Sequence, residues 1–163
     1  MKQVWVPQDT TVFEIASIIE EDLDLNQISC QLSSGVVQNF SRAQTHAVDP
    51  THLLDLDDLC FMNNLHEAPL LDMVRRRLAE DKIYTFTSNF LISLNPYKSI
   101  GGLYGEPLRY LDLREEVVGS TAEPKVPHVY TIANSALRAL ARCAEGQQNQ
   151  NQSIIVTGES GAG

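Results

Sequence analysis

Asn151-Gln152-Ser153-Ile154-Ile155-Val156-Thr157-Gly158-Glu159-Ser160-Gly161-Ala162-Gly163 carries the strongest local signal in this sequence. Residues 153–157 are β-branched and apolar, the composition of a short buried strand. The glycines that follow are spaced G-x-x-x-x-G, the first part of a phosphate-binding loop. Such glycines let the backbone bend until several N–H groups face one anion, and a following helix adds its positive end. Gly158, Glu159, Ser160, Gly161, Ala162 and Gly163 are therefore candidate nucleotide-binding residues. The Lys and hydroxyl residue that complete the pattern, and that reach phosphate and Mg²⁺, lie beyond Gly163. Two glycines at a fixed spacing are a weak signal alone, and a Gly-rich turn leaving a strand is the plain alternative.

Composition narrows the class. The chain has 163 residues, enough for one domain or a small domain with part of another. Its apolar content of 43% suits a packed core rather than disorder. A net charge of −9 leaves no electrostatic footprint for nucleic acid or an anionic membrane surface. Cys30, Cys60 and Cys143 lack the spacing of metal ligands and read as thiols in a reducing compartment. No apolar run approaches the roughly 18 residues that span a bilayer, and the N-terminus does not read as a signal peptide.

Upstream, short strands are expected at Val4–Pro7, Val12–Ile19, Ile28–Leu32 and Val36–Phe40, joined by polar turns as in a small barrel or meander. Trp5 reads as packing for that sheet. Glu20–Asp24 reads as a solvated acidic loop, because nothing there fixes ligand geometry. Asp49-Pro50-Thr51 reads as a linker, and Asp55–Leu59 as the start of a helix. A second helix is expected from about Glu67 to Glu80, with Pro69 in its first turn and Leu70, Leu71, Val74 and Leu78 on one face. Arg75, Arg76 and Arg77 read as a solvated face with local ion pairs. Ile83–Phe86 and Phe90–Leu94 read as a hairpin turning at Thr87-Ser88-Asn89. Pro127-His128 opens a helix to about Cys143, striped by Val129, Ile132, Ala133, Ala136, Leu137, Leu140 and Cys143. His128 has no carboxylate or Cys partner at ligand spacing and reads as structural.

The terminal loop resembles the nucleotide-binding loop of myosin motor heads. Leu65-His66-Glu67-Ala68-Pro69, Ile83-Tyr84-Thr85 and Asn95-Pro96-Tyr97-Lys98 occur in the order and near the spacing of that family. Val4-Trp5-Val6-Pro7 is similar to the opening of the small barrel that precedes many such heads. The resemblance implies that Asn95, Pro96 and Tyr104 flank an adenine, with Lys98 nearby. The chemistry is reasonable. An aromatic ring and a prolyl edge sandwich a purine, and an amide bonds its edge. The chain departs from the family at Ser88, where Gly is usual, and at Gly101-Gly102, where Pro is frequent.

The fold class implied is α/β, an incomplete P-loop NTPase core preceded by a small all-β barrel-like subdomain. The division expected is 1–48 for the barrel and 49–163 for the start of the motor domain. The family implies ATP and Mg²⁺ as ligands of the complete motor, actin filaments as partner, and a cytoplasmic, cytoskeletal setting. No residue here is assigned a catalytic or metal-binding role. The chain alone is expected to bind ATP negligibly and to aggregate through a lone final strand. A different P-loop NTPase and a non-enzymatic interaction module are the alternatives.

Overall fold

The computed structural model describes residues 2–105, 126–144 and 151–159. The chain divides into two compact units. One comprises Met1–Asp55 and Phe61–Arg76, the other Leu56–Cys60 and Arg77–Gly163.

The first unit is built on a five-stranded antiparallel sheet. Its strands are β1 (Gln3–Gln8), β2 (Val12–Asp22), β3 (Gln27–Gln31), β4 (Val37–Ser41) and β5 (His46–Ala47). Their order is β4-β3-β2-β1-β5, so the first four form a meander and β5 covers the free edge of β1. Period-two alternation explains the core. Val4, Val6, Ala16, Ile28, Cys30 and Phe40 point to one side, with Ile18 and Leu32 packed against them. The register of β2 on β3 shifts between Ile18 and Glu20. This bulge carries the strand past its buried half, so Glu20, Glu21 and Asp22 are exposed strand residues rather than loop. Glu21 meets Arg42 at 3.1 Å and Lys2 at 3.9 Å.

The expected linker is ordered. Asp49 caps a short 3₁₀ turn at Pro50–Leu53 by accepting the Thr51 N–H at 2.8 Å. That turn buries His52 completely. The His52 Nδ1 accepts from Trp5 Nε1 at 3.0 Å and from the Asp49 N–H at 3.2 Å. Its Nε2 faces the Asn63 carbonyl at 2.9 Å, so the ring proton sits there. Trp5 is the packing residue expected, and its indole N–H is satisfied by a histidine 47 positions away.

Helix α1 spans Glu67–Ala79 with Pro69 in its first turn, as expected. Its face differs from the one read in the sequence. Pro69, Met73 and Arg77, at i, i+4 and i+8, are the deeply buried positions, with Ala68 beside them. Leu70, Leu71, Val74 and Leu78 are half-buried flanks. The helix ends in a Schellman arrangement: Lys82 N–H bonds the Arg77 carbonyl, Asp81 N–H bonds the Leu78 carbonyl, and Asp81 has φ +62°.

In the second unit, β6 (Tyr84–Thr87) and β7 (Phe90–Ser93) form the expected hairpin. Ser88 stands at φ +57° in the turn, the left-handed position that glycine takes most easily. Asp55–Asp58 is not helical, and only a short 3₁₀ turn at Leu59–Phe61 follows where a helix is expected. Asp58 instead makes a parallel bridge to Phe86, and the Phe86 N–H bonds the Asp57 carbonyl at 2.8 Å. The Asp58 carboxylate accepts from Cys60 N and Ser88 N at 2.9 and 3.0 Å. Burial works against its charge, but those N–H groups outweigh it and hold its pKa below the ordinary value. The acidic run thus stands at the start of a 3₁₀ turn rather than of an α-helix, and Asp58 also holds the hairpin turn through Ser88. Arg77 is not solvated either. It is 3% exposed and reaches Thr85 Oγ1, the Tyr84 carbonyl and Asp57 Oδ1 at 2.9, 3.0 and 2.9 Å.

Helix α2 covers Val129–Ala144, matching the expected span. Its apolar stripe stays largely open, with Leu137 and Leu140 exposed. Ser153–Thr157 forms no strand. Residues 151–159 have no regular structure, and Ile155 is 86% exposed. The cause is physical: a strand exists through ladder bonds to neighbours, and none of the described strands pairs with this segment.

Candidate functional site

The segment from Asn95 to Tyr104 leaves β7 through Leu94, whose N–H still bonds the Ile83 carbonyl at 3.0 Å. Asn95 Oδ1 accepts the Tyr97 N–H at 2.9 Å, an Asx turn around Pro96. Tyr97 takes φ +50° and stands 88% exposed. Asn95 and Pro96 are half-buried. Lys98 is exposed and pairs with Asp81 just past α1. Gly102, at φ +77°, accepts the Gly105 N–H at 3.2 Å, so the segment closes on itself at Tyr104.

Tyr104 is the best-held residue of the segment. Its hydroxyl bonds that of Tyr84 at 2.9 Å. Its carbonyl accepts from Tyr130 Oη at 3.3 Å. Its ring meets His128 and Tyr130 edge-on, at centroid distances of 5.7 and 6.2 Å. Over half of Tyr104 nevertheless remains exposed. A ring anchored at hydroxyl and backbone, with open surface beside it, is a platform for a flat ligand. Burial pushes the Tyr84 phenol well above the usual range, and its bond to Tyr104 adds to this.

His128 joins this group to α2. It is 1% exposed and sits at the helix N-cap, where its carbonyl accepts the Thr131 N–H at 3.0 Å. Its Nδ1 accepts the Tyr130 N–H at 3.1 Å, satisfying one of the helix's orphan donors. Its Nε2 donates to the Leu103 carbonyl at 3.1 Å. Burial lowers the imidazole pKa, partly offset by the Leu103 bond. His128 is structural, as read in the sequence, and this double engagement with backbone groups is what that role consists of. A His immediately before a helix, in the position of an N-cap, is the signal that points to it.

Of the expected site residues, Asn95, Pro96, Lys98 and Tyr104 lie on this one segment. Gly158 and Glu159 fall in the exposed irregular stretch, and Ser160, Gly161, Ala162 and Gly163 lie outside the described residues. Among the described residues no His, Cys, Asp and Glu side chains cluster as metal ligands. No described helix is long and apolar enough to cross a membrane.

The order of these elements has counterparts elsewhere. Residues 56–163 match the family model of the myosin head (motor domain). The chain belongs to the myosin head family. It is 33% identical over 162 residues to unconventional myosin-VI of Mus musculus and 32% identical to that of Homo sapiens, in each case over 99% of this chain. The "Probable myosin heavy chain" of Encephalitozoon cuniculi is 32% identical over the same share. This myosin chain spans 12% of the two myosin-VI proteins and 9% of the third. The small antiparallel sheet of the first unit is consistent with an N-terminal β subdomain ahead of the matched region.

Proposed function

We propose that this chain supplies the purine-contacting segment and the start of the phosphate-binding loop of an ATP-driven motor that works on actin. The observation that carries the reading is the family match across residues 56–163, which takes in Asn95–Tyr104 and the Gly158–Gly163 loop together. In this reading residues 1–48 form the small β subdomain and 49–163 the start of the motor domain.

In this reading Tyr104 offers its open face to the purine, and Asn95 and Pro96 bound the far side. Asn95 holds the Asx turn through Oδ1, which fixes its amide beside the base edge. Lys98 adds positive charge at the margin, moderated by Asp81. The main-chain N–H groups of Gly158–Gly163 act as the anion ligand, so neither Glu159 nor Ser160 serves as a general base. In the P-loop scheme the residues after such a loop would hold Mg²⁺, which would supply charge neutralisation at the phosphates. The family setting also implies a cytoplasmic, cytoskeleton-associated protein.

Photolabelling tests the proposal. An azido-adenine nucleotide irradiated on the complete motor is expected to modify peptides containing residues 95–104, with protection by excess ATP. Labelling confined to peptides outside this segment overturns the assignment.

A further inference from the structure

We infer that His128 is a positioning residue for the purine platform: through its Nε2–H bond to the Leu103 carbonyl, the start of α2 sets where the Tyr104 ring stands. The inference rests on the purine reading of Tyr104 given above.

Four observations carry it. His128 is fully buried, so its bonds do not compete with water. Its two nitrogens make opposite demands. Nδ1 must accept from Tyr130 N–H, and Nε2 must donate to Leu103, which selects one neutral tautomer and a fixed ring plane. Leu103 and Tyr104 are adjacent, and both carbonyls are held from the first residues of this helix, by His128 and by Tyr130. The Tyr104 ring also leans edge-on against the imidazole. Displacing the Leu103 carbonyl therefore moves Tyr104, while the helix keeps its own ladder.

The two nitrogens can be separated by substitution. In His128→Asn the amide oxygen occupies the place of Nδ1, and Asn is a strong N-cap, so the helix start is kept. Asn is too short to reach Leu103. In His128→Gln the amide nitrogen reaches the position of Nε2 and restores the donor to Leu103.

The test measures Mg·ATP and Mg·tripolyphosphate affinity on the complete motor, for the parent, Tyr104→Ala, His128→Asn and His128→Gln. Tripolyphosphate has no base, so it reports the phosphate loop alone. Losing a hydrogen bond worth about 1 kcal/mol corresponds to roughly fivefold in affinity. The expected result is that Tyr104→Ala and His128→Asn each weaken ATP by about fivefold or more. Tripolyphosphate affinity stays within about twofold, and His128→Gln recovers most of the loss. If Tyr104→Ala weakens ATP selectively and His128→Asn does not, the positioning role is overturned and the purine reading stands. If Tyr104→Ala has no selective effect, the purine reading falls and takes this inference with it. Equal weakening of both ligands by His128→Asn, or loss of folding with Asn in place, marks a merely structural role and overturns the inference.

Discussion

Trp5 and His52 are joined by a buried hydrogen bond of 3.0 Å between Nε1 and Nδ1, with both side chains closed to solvent. The bond ties β1 to the turn that follows the sheet. Replacing His52 by Ala orphans the indole N–H and the Asp49 N–H, and leaves a cavity. The expected cost is about 2–4 kcal/mol. His52→Asn, whose amide oxygen lies where Nδ1 was, is expected to recover part of this. Urea unfolding followed by Trp5 fluorescence measures both, since Trp5 is the single tryptophan of the chain.

Arg77 and Asp57 make an uneven pair. The guanidinium is buried, whereas the Asp57 side chain is 59% exposed. Most of what Arg77 contributes therefore comes from Thr85 Oγ1 and the Tyr84 carbonyl, not from the ion pair. Asp57→Asn is expected to cost under about 1 kcal/mol, as exposed partners do. Arg77→Lys, which replaces a rigid fork by a point charge, is expected to cost about 2–3 kcal/mol. Equal costs in denaturant titrations would refute this division.

The sequence disclosed β1 to β4 of the first unit because apolar and polar residues alternate there, and it disclosed the β6–β7 hairpin, whereas the two-residue β5 is too short to show a pattern. Arg77 was illegible: three consecutive arginines look alike, and only the position at i+8 from Pro69 shows that one faces inward. The helix expected to start at Asp55–Leu59 is only a 3₁₀ turn at Leu59–Phe61, because acidic residues suit the start of a long helix and of a single turn equally well. What decides is the pairing of Asp58 with Phe86, a contact distant in sequence. Ser153–Thr157 failed differently. Its composition is that of a strand, but strandedness belongs to pairs, and composition does not supply the neighbour. Tyr104 was legible as a candidate through family resemblance. Its holders Tyr84, His128 and Tyr130 were not, because they converge from 20 to 26 residues away.

Acid should loosen the fold through two histidines. His66 packs against His46 and His52 at ring distances of 4.5 and 5.6 Å, and its Nε2 is buried without a hydrogen-bond partner. Burial first, then the neighbouring imidazoles, lowers its pKa, and burial lowers that of His128. A depressed folded value means the contribution is fully present above the ordinary imidazole pKa of 6.5 and is lost as pH falls through the folded value. The unfolding midpoint is expected to be flat above that point and to decline below it. His66→Gln should flatten the decline; an unchanged slope in the pH series would exclude His66 as a source.

Val12 stands at φ +66°, a conformation that a β-branched residue adopts only under strain. It opens β2 opposite Gln8, and the preceding Thr11 carbonyl is gripped by Arg75 at 2.7 Å. Its side chain is 48% exposed, so little burial is at stake. Relief of strain of order 1–3 kcal/mol exceeds the roughly 0.5–1 kcal/mol entropic cost of glycine. Val12→Gly is expected to stabilise by about 0.5–1.5 kcal/mol. Ser88→Gly, at φ +57° in the hairpin turn, should act in the same direction but less, because Ser lacks the branched carbon. A fall in the thermal midpoint for Val12→Gly would show that this backbone is not strained.

Ile154, Ile155 and Val156 form an apolar run with each side chain more than half exposed. Such a segment is open to pairing with another copy of itself, since its ladder groups and its β-branched faces are both available. Ile155→Lys therefore removes attraction between chains without removing contacts within one. In the isolated chain it is expected to shift the unfolding midpoint by no more than about 0.5 kcal/mol in stability, while slowing aggregation measured by light scattering. A loss of several kcal/mol would mean that Ile155 is buried within the chain, contrary to its exposure here.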